Sequence, residues 1–141
     1  MRIGIVGSEG AKFTPETEAK ARAIIRSLLK PGDVVISGGC HLGGIDVWAV
    51  EEAKSLGLEF VEHLPKTLTW AGGYKARNVK IARDSDKVVC ITVKKLHDGY
   101  TGMRFDYCYH CGTSEHVKSG GCWTVKKARQ LGKLGEVIVV T

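Results

Sequence analysis

The segment Ser37–Ala49, SGGCHLGGIDVWA, runs from a β-branched stretch straight into a helix-like one through a turn carrying Gly38, Gly39, Gly43 and Gly44. Glycine has no Cβ, so such a turn can adopt positive φ and bring backbone N–H groups close to an anion. The helix expected from about Ile45 or Asp46 adds its unpaired first-turn donors and the positive end of its dipole. Strand, glycine turn and helix in that order are the basic unit of α/β proteins, which makes phosphate or nucleotide binding the first function to consider.

The 141 residues, 43% of them hydrophobic, suffice for one core, and the chain reads as a single domain spanning residues 1–141. No apolar run approaches the ~20 residues that cross a bilayer. The opening MRIGIVGS has the pattern of a strand rather than of a signal peptide, so a cytoplasmic protein without a membrane partner is expected. Twenty-one basic against 15 acidic side chains give a net charge of +6, which favours anionic partners without separating a nucleotide from a polynucleotide.

Short β-branched runs alternate with amphipathic segments along the chain. The pattern predicts a Rossmann-like, doubly wound parallel sheet of about five strands with helices on both faces. The strands are expected at Arg2–Val6, Asp33–Ser37, Leu58–Val61, Lys87–Val93 and Val137–Val140. The helices are expected from a Thr14 cap with Pro15 at its first position, over Ile45–Leu56 with Gly57 ending it, over Tyr74–Asp84, and over Trp123–Leu131. Residues 94–122 interrupt this order. They form a long stretch without clear periodicity where α/β connections usually need only about 2–6 residues, so something other than an apolar core should hold them.

Within that insertion stand Cys108, Cys111, His116 and Cys122, spaced C-x2-C-x4-H-x5-C. Three thiolates and an imidazole suit a tetrahedral structural zinc ion that closes a loop too small to fold alone, with His110 as the rival to His116 and a cluster of free thiols as the plain alternative. The spacing resembles a zinc knuckle, whose usual last interval is one residue shorter. A closed four-ligand site leaves no position at which to activate water. Cys122 directly follows Gly120 and Gly121, so a metal there would fix a further glycine-lined helix start.

Other candidates lie at strand ends and helix starts. Arg77 can clamp a phosphate bidentately or simply face solvent, and Asn78 beside it calls for a specific partner. Asp46 can cap its helix or bind a ribose hydroxyl. Gly7, Ser8 and Glu9 end the first strand, Trp70 can stack on a base or anchor a loop, and Cys90 alternates into the core. No nucleophile–base–acid set is visible.

Taken together, RIGIVGS, VISGGCHLGGIDVWAVEEAKSLG, YKARNVKIARDSDKVVCI and SGGCWTVKKARQLGKLGEVIVV resemble the SLOG superfamily of Rossmann-like nucleotide-binding domains. That superfamily includes the DNA-processing protein A family, YspA-like proteins and LOG-type cytokinin-activating enzymes. The resemblance covers most of the chain outside the cysteine insertion. It implies ligand contacts from Gly7, Ser8, Gly38, Gly39, Gly43, Asp46, Arg77 and Asn78, with Gly120 and Gly121 as the last glycine turn, and it implies pairing into a homodimer. Where LOG-type enzymes carry PGGxGTxxE with a catalytic glutamate, this chain has SGGCWTVKK. The leading expectation is therefore a nucleotide or nucleotide-derivative binding protein with a structural zinc site. One alternative is a protein that binds single-stranded DNA or RNA through Tyr100, Phe105, Tyr107, Tyr109 and Trp123. Another is a nucleoside monophosphate N-glycosidase using Asp46 or Glu9.

Overall fold

Every second residue of Lys87–Val93 turns to the same face of a sheet, and both faces of this strand are apolar: Val89, Ile91 and Val93 on one side, Val88 and Cys90 on the other. A strand buried on both faces belongs in the middle of a parallel sheet covered by helices. The computed structural model, which describes residues 1–141, places it there. The elements are β1 (Arg2–Gly7), α1 (Pro15–Leu28), β2 (Val34–Ser37), α2 (Ile45–Ser55), β3 (Glu59–Glu62), α3 (Lys75–Asp84), β4 (Lys87–Val93), α4 (Gly121–Gln130) and β5 (Leu134–Val140). All strand pairs are parallel, in the order β3-β2-β1-β4-β5. The expected five-stranded Rossmann-like sheet is the observed one.

Helices α1 and α2 cover one face around Ile5, Ile25, Val35, Ala49 and Ile91. Helices α3 and α4 cover the other around Val6, Ile36, Ile81, Cys90 and Val125. The chain winds from β1 outward to β3, then crosses back through α3 to β4. This reversal opens a crevice beyond the carboxyl ends of β1 and β4, where ligands of such sheets bind.

Local chemistry sets the helix ends. Thr14 Oγ1 accepts from the Thr17 amide at 3.2 Å and Thr17 Oγ1 accepts from the Thr14 amide at 2.8 Å, a capping box that uses threonine in place of the usual acid. Gly57, at φ +70°, ends α2 in the left-handed region, and the Leu58 amide turns back to the Ala53 carbonyl at 2.8 Å. β5 begins at Leu134, three residues before the expected Val137, because backbone pairing with β4 extends over Lys87↔Leu134 although the side chains there are polar or exposed. α4 begins at Gly121 rather than Trp123, and a single π turn, Trp70–Tyr74, leads into α3.

Between β4 and α4 the insertion has no strand or helix, only an antiparallel bridge of Cys108 to Thr113. It is tied to the sheet at a few points: the Val117 amide donates to the Val93 carbonyl at 3.1 Å, Val117 enters the α1/α2 core, and Cys108 and Cys122 enter the α3/α4 core. Tyr100 OH donates to Glu9 Oε1 at 2.8 Å, fixing the insertion to the loop after β1.

Gly44 is where this loop meets the glycine turn. Its backbone lies at φ +83°, ψ −147°, and an added Cβ would stand 2.3 Å from the Ser8 carbonyl oxygen and 2.5 Å from the Gly10 nitrogen. Gly43 also has positive φ, +73°, but with open space around it. Urea denaturation should therefore show Gly44→Ala losing about 3 kcal/mol or more, from a backbone clash added to a disfavoured conformation, and Gly43→Ala losing only about 1–2 kcal/mol. Equal losses at the two positions would contradict this packing.

Candidate functional site

Four chain segments converge on a cleft of about 380 Å³ at the carboxyl end of the sheet. Val6 and Gly7 come from the end of β1, Cys40, Leu42 and Asp46 from the glycine turn and the start of α2. Trp70, Tyr74, Arg77, Asn78 and Ile81 come from the π turn and α3, and Lys118, Gly120, Gly121 and Thr124 from the entry and first turn of α4. Of the residues expected to contact ligand, the cleft thus gathers Gly7, Asp46, Arg77, Asn78, Gly120 and Gly121.

The others lie elsewhere. Gly38 sits behind the cleft, where a Cβ would stand 2.4 Å from Arg77 Nη1 and 2.9 Å from Asp46 Oδ2, so the absent side chain is what lets these two groups approach one another. Gly39 lines a neighbouring depression with Leu64 and Pro65. Ser8 is buried, its Oγ 2.8 Å from Thr92 Oγ1 and its carbonyl accepting from the Ile45 amide at 3.2 Å. Several amides of the glycine turn already have acceptors within the protein: Gly39 donates to Ser37 Oγ at 3.3 Å and Gly43 to the Cys40 carbonyl at 3.1 Å. Gly121 donates to Ser119 Oγ at 3.2 Å. Positive charge at the cleft comes instead from side chains, Arg77 and Lys118.

Arg77 is held rigidly. Its Nη1 donates to the Gly38 carbonyl at 2.6 Å, its Nε donates to Asn78 Oδ1 at 2.7 Å, and its guanidinium lies 5.3 Å from the Tyr74 ring centre. The same bond fixes Asn78 with its NH2 group left without a protein acceptor. Asp46 is the most perturbed group of the site. Burial, the dominant effect, pushes its carboxyl up to about 6, with Glu62 adding to the rise, while the Arg77 guanidinium and the Cys40 amide pull it down. Asp46 Oδ1 and Thr124 Oγ1 are the two buried side-chain polar atoms of the protein without a hydrogen-bond partner, and both residues line this cleft. Buried polar atoms are rarely left unpaired, so their meeting in one concave site makes this cleft the candidate functional site.

Trp70 is 45% exposed and forms a wall of the cleft, packing edge-on against Trp123 with ring centres 5.0 Å apart. The contact with Trp123 fits a loop anchor, while the ring stays partly exposed. Glu9, the other carboxylate considered for catalysis, is engaged by Tyr100 and does not line the cleft. Thr124, Lys118 and Tyr74 were missed by the sequence reading. Thr124 had one usable signal, a position three residues after Gly121, which places it on the same helix face.

The four expected metal ligands also come together. One ligand atom each from Cys108, Cys111, His116 and Cys122 lie within 4.8 Å of one another, a cluster that can hold a metal ion. His116 Nδ1 stands 2.8 Å from the Val117 carbonyl, which as an acceptor requires Nδ1–H and leaves the Nε2 lone pair for the cluster. His110 is not in the set; its ring lies against Tyr109, with centres 4.4 Å apart and planes tilted by 48°. At Cys108 burial favours the neutral thiol, but the backbone N–H groups of Ser119, Cys111 and His110 outweigh it and hold the pKa below the ordinary thiol value. Cys90, outside the set, has its Sγ 3.6 Å from Ser119 Oγ and 3.8 Å from Cys122 Sγ.

No protein-family model matches the chain, and no curated protein sequence matches it. Solved structures share its fold. The molybdenum cofactor carrier protein of Chlamydomonas reinhardtii superposes with a TM-score of 0.61 at 20% identity, over 98% of this chain and 74% of that one. The structural-genomics target TM1055 superposes with a TM-score of 0.60 at 19% identity, over 94% and 70%. At such identities the likeness establishes a common Rossmann-like fold. No helix is long and apolar enough to cross a membrane.

A folded-state pKa of about 6 for Asp46, against ~3.9 unfolded, means the native protein keeps a proton that the unfolded chain loses between pH ~4 and 6. Stability should accordingly fall as pH rises through that window and stay lower above it. Asp46→Asn should remove this part of the pH dependence and raise stability at pH ~7 by up to about 3 kcal/mol. Urea melts at several pH values measure both effects, and an unchanged pH profile in the variant would refute the assignment.

Proposed function

We propose that the protein binds a nucleotide or nucleotide-derived ligand in the cleft between β1, α2, α3 and α4, and that the insertion beside it is held by a structural zinc ion. The observation that carries the first part is the pair of unpartnered buried atoms, Asp46 Oδ1 and Thr124 Oγ1, flanked by Arg77 and Lys118 and walled by Trp70 and Tyr74. A carboxylate and a hydroxyl suit sugar hydroxyls or base edges, the two cations suit phosphate, and the aromatic rings suit a base. The position at the topological switch point supports the same reading. So does the fold shared with a protein whose name describes a cofactor carrier. With Asp46 the one carboxyl in the cleft and Glu9 held outside it by Tyr100, binding is better supported than glycosidic cleavage by a carboxylate pair.

For the metal, zinc fits the donor set. Tetrahedral Zn–S and Zn–N bonds of about 2.0–2.3 Å place ligand atoms about 3.7 Å apart, a slight contraction of the cluster seen here. When bound, zinc would crosslink Cys108, Cys111 and His116 of the insertion to Cys122 on α4. All four positions would be filled by protein, leaving the ion a structural role.

A thermal-shift series with nucleoside mono- and dinucleotides tests the cleft. A ligand present at about 100 times its Kd stabilises by about 2.7 kcal/mol, on the order of 5–10 °C for a domain of this size. Arg77→Gln should abolish that shift, whereas loss of the shift in no cleft variant would contradict the proposal. Metal analysis should find one zinc per chain, and a chelator should lower Tm and weaken nucleotide binding together, because Cys122 adjoins the cleft residue Gly121. A metal content far below one per chain would remove the zinc.

A further inference from the structure

A groove of about 710 Å³, roomier than the cleft, lies on the outside of the insertion. Phe105, Tyr107 and Tyr109 all line it, at alternate positions of an irregular segment, while Cys108 between them is buried in the cysteine–histidine cluster. The three rings are 43%, 52% and 58% exposed, where aromatic side chains of this size would ordinarily be buried.

Charge surrounds these rings. Lys94, Lys95 and Arg104 line the groove against a single acid, Asp106. Lys118 Nζ lies 5.2 Å from the Phe105 ring centre and 5.3 Å from that of Tyr109, bringing a fourth cation to the same surface. The backbone that carries the rings is tied down on either side: the Lys118 amide donates to the Phe105 carbonyl at 3.1 Å, and Tyr109 lies between Cys108 and Cys111 of the cysteine–histidine cluster.

We propose that this groove binds single-stranded nucleic acid, with bases stacked on Phe105, Tyr107 and Tyr109 and the backbone phosphates tracked by Lys94, Lys95 and Arg104. Flat exposed rings in a row bind π faces, which a duplex keeps stacked internally, and the cations bind the phosphates without reading sequence. Net charge of +6 steers the same partner toward the protein. The groove shares Lys118 with the cleft but none of its lining residues, and the cleft's nucleotide is a separate ligand.

Fluorescence anisotropy with labelled oligothymidylate and oligouridylate of about ten nucleotides tests it, with a duplex of equal length and heparin as competitors. Binding should favour the single strands and weaken steeply between about 50 and 200 mM salt. Phe105→Leu and Tyr107→Leu should each weaken it about tenfold at wild-type Tm and metal content. The Lys94→Gln/Lys95→Gln pair should flatten the salt dependence by up to about two contacts. Arg77→Gln, which disables the cleft, should leave oligonucleotide binding intact. Equal competition by heparin, indifference to both ring substitutions, or loss of binding through Arg77→Gln alone would each overturn the proposal. Phe105 stands three residues from Cys108, so its variant decides the matter if Tyr107→Leu disturbs the metal.

Discussion

The short segment Ser119–Cys122 rests directly on the ends of β1 and β4, and this contact depends on Gly121 having no side chain. A Cβ there would stand 2.8 Å from Cys90 Sγ, 3.0 Å from Val6 Cγ2 and 3.1 Å from the Gly7 nitrogen. Because the backbone can come so close, one stretch of chain serves two structures at once. Gly120 and Gly121 form part of the cleft and Cys122 joins the cysteine–histidine cluster, while Ser119 Oγ accepts from the Gly121 amide and lies near the Cys90 thiol. The insertion is thereby bound into the sheet's own core rather than hung from its edge.

The same region carries the protein's electrostatic strain. Placing Asp46 under Gly38, away from water and short of an ion pair with Arg77, works against stability at neutral pH. Elsewhere the chain follows ordinary stabilising rules: a capped α1, a left-handed glycine after α2, and strands buried on both faces. Local conflict confined to one cleft, in a fold otherwise consistent at every level, is the pattern expected of a binding site.

Much of this was legible in the sequence. Every strand and helix was anticipated within a few residues, because parallel strands buried on both faces give β-branched runs and because Thr14–Pro15 and Gly57 punctuate the helices so clearly. The gathering of Cys108, Cys111, His116 and Cys122 into a cluster that can hold a metal ion was legible too, from their spacing. What the sequence could not convey was which donors remain free after folding. Gly39, Gly43 and Gly121 look like an anion cradle in one dimension, yet their amides are satisfied by Ser37, Cys40 and Ser119. Thr124 and Lys118 carry no motif, and only the placement of α4 against β1 brings them to the cleft. The outward row of Phe105, Tyr107 and Tyr109 is present as alternation, but its exposure follows from Cys108 being drawn inward.

A crystal structure of the protein soaked with a nucleoside monophosphate addresses the cleft most directly. One molecule should lie against Trp70 and Tyr74, with a polar atom within hydrogen-bond reach of Asp46 Oδ1 or Thr124 Oγ1 and its phosphate toward Arg77 or Lys118. A cleft left empty at saturating nucleotide, or a ligand seated elsewhere with those two atoms still unpartnered, would contradict the reading.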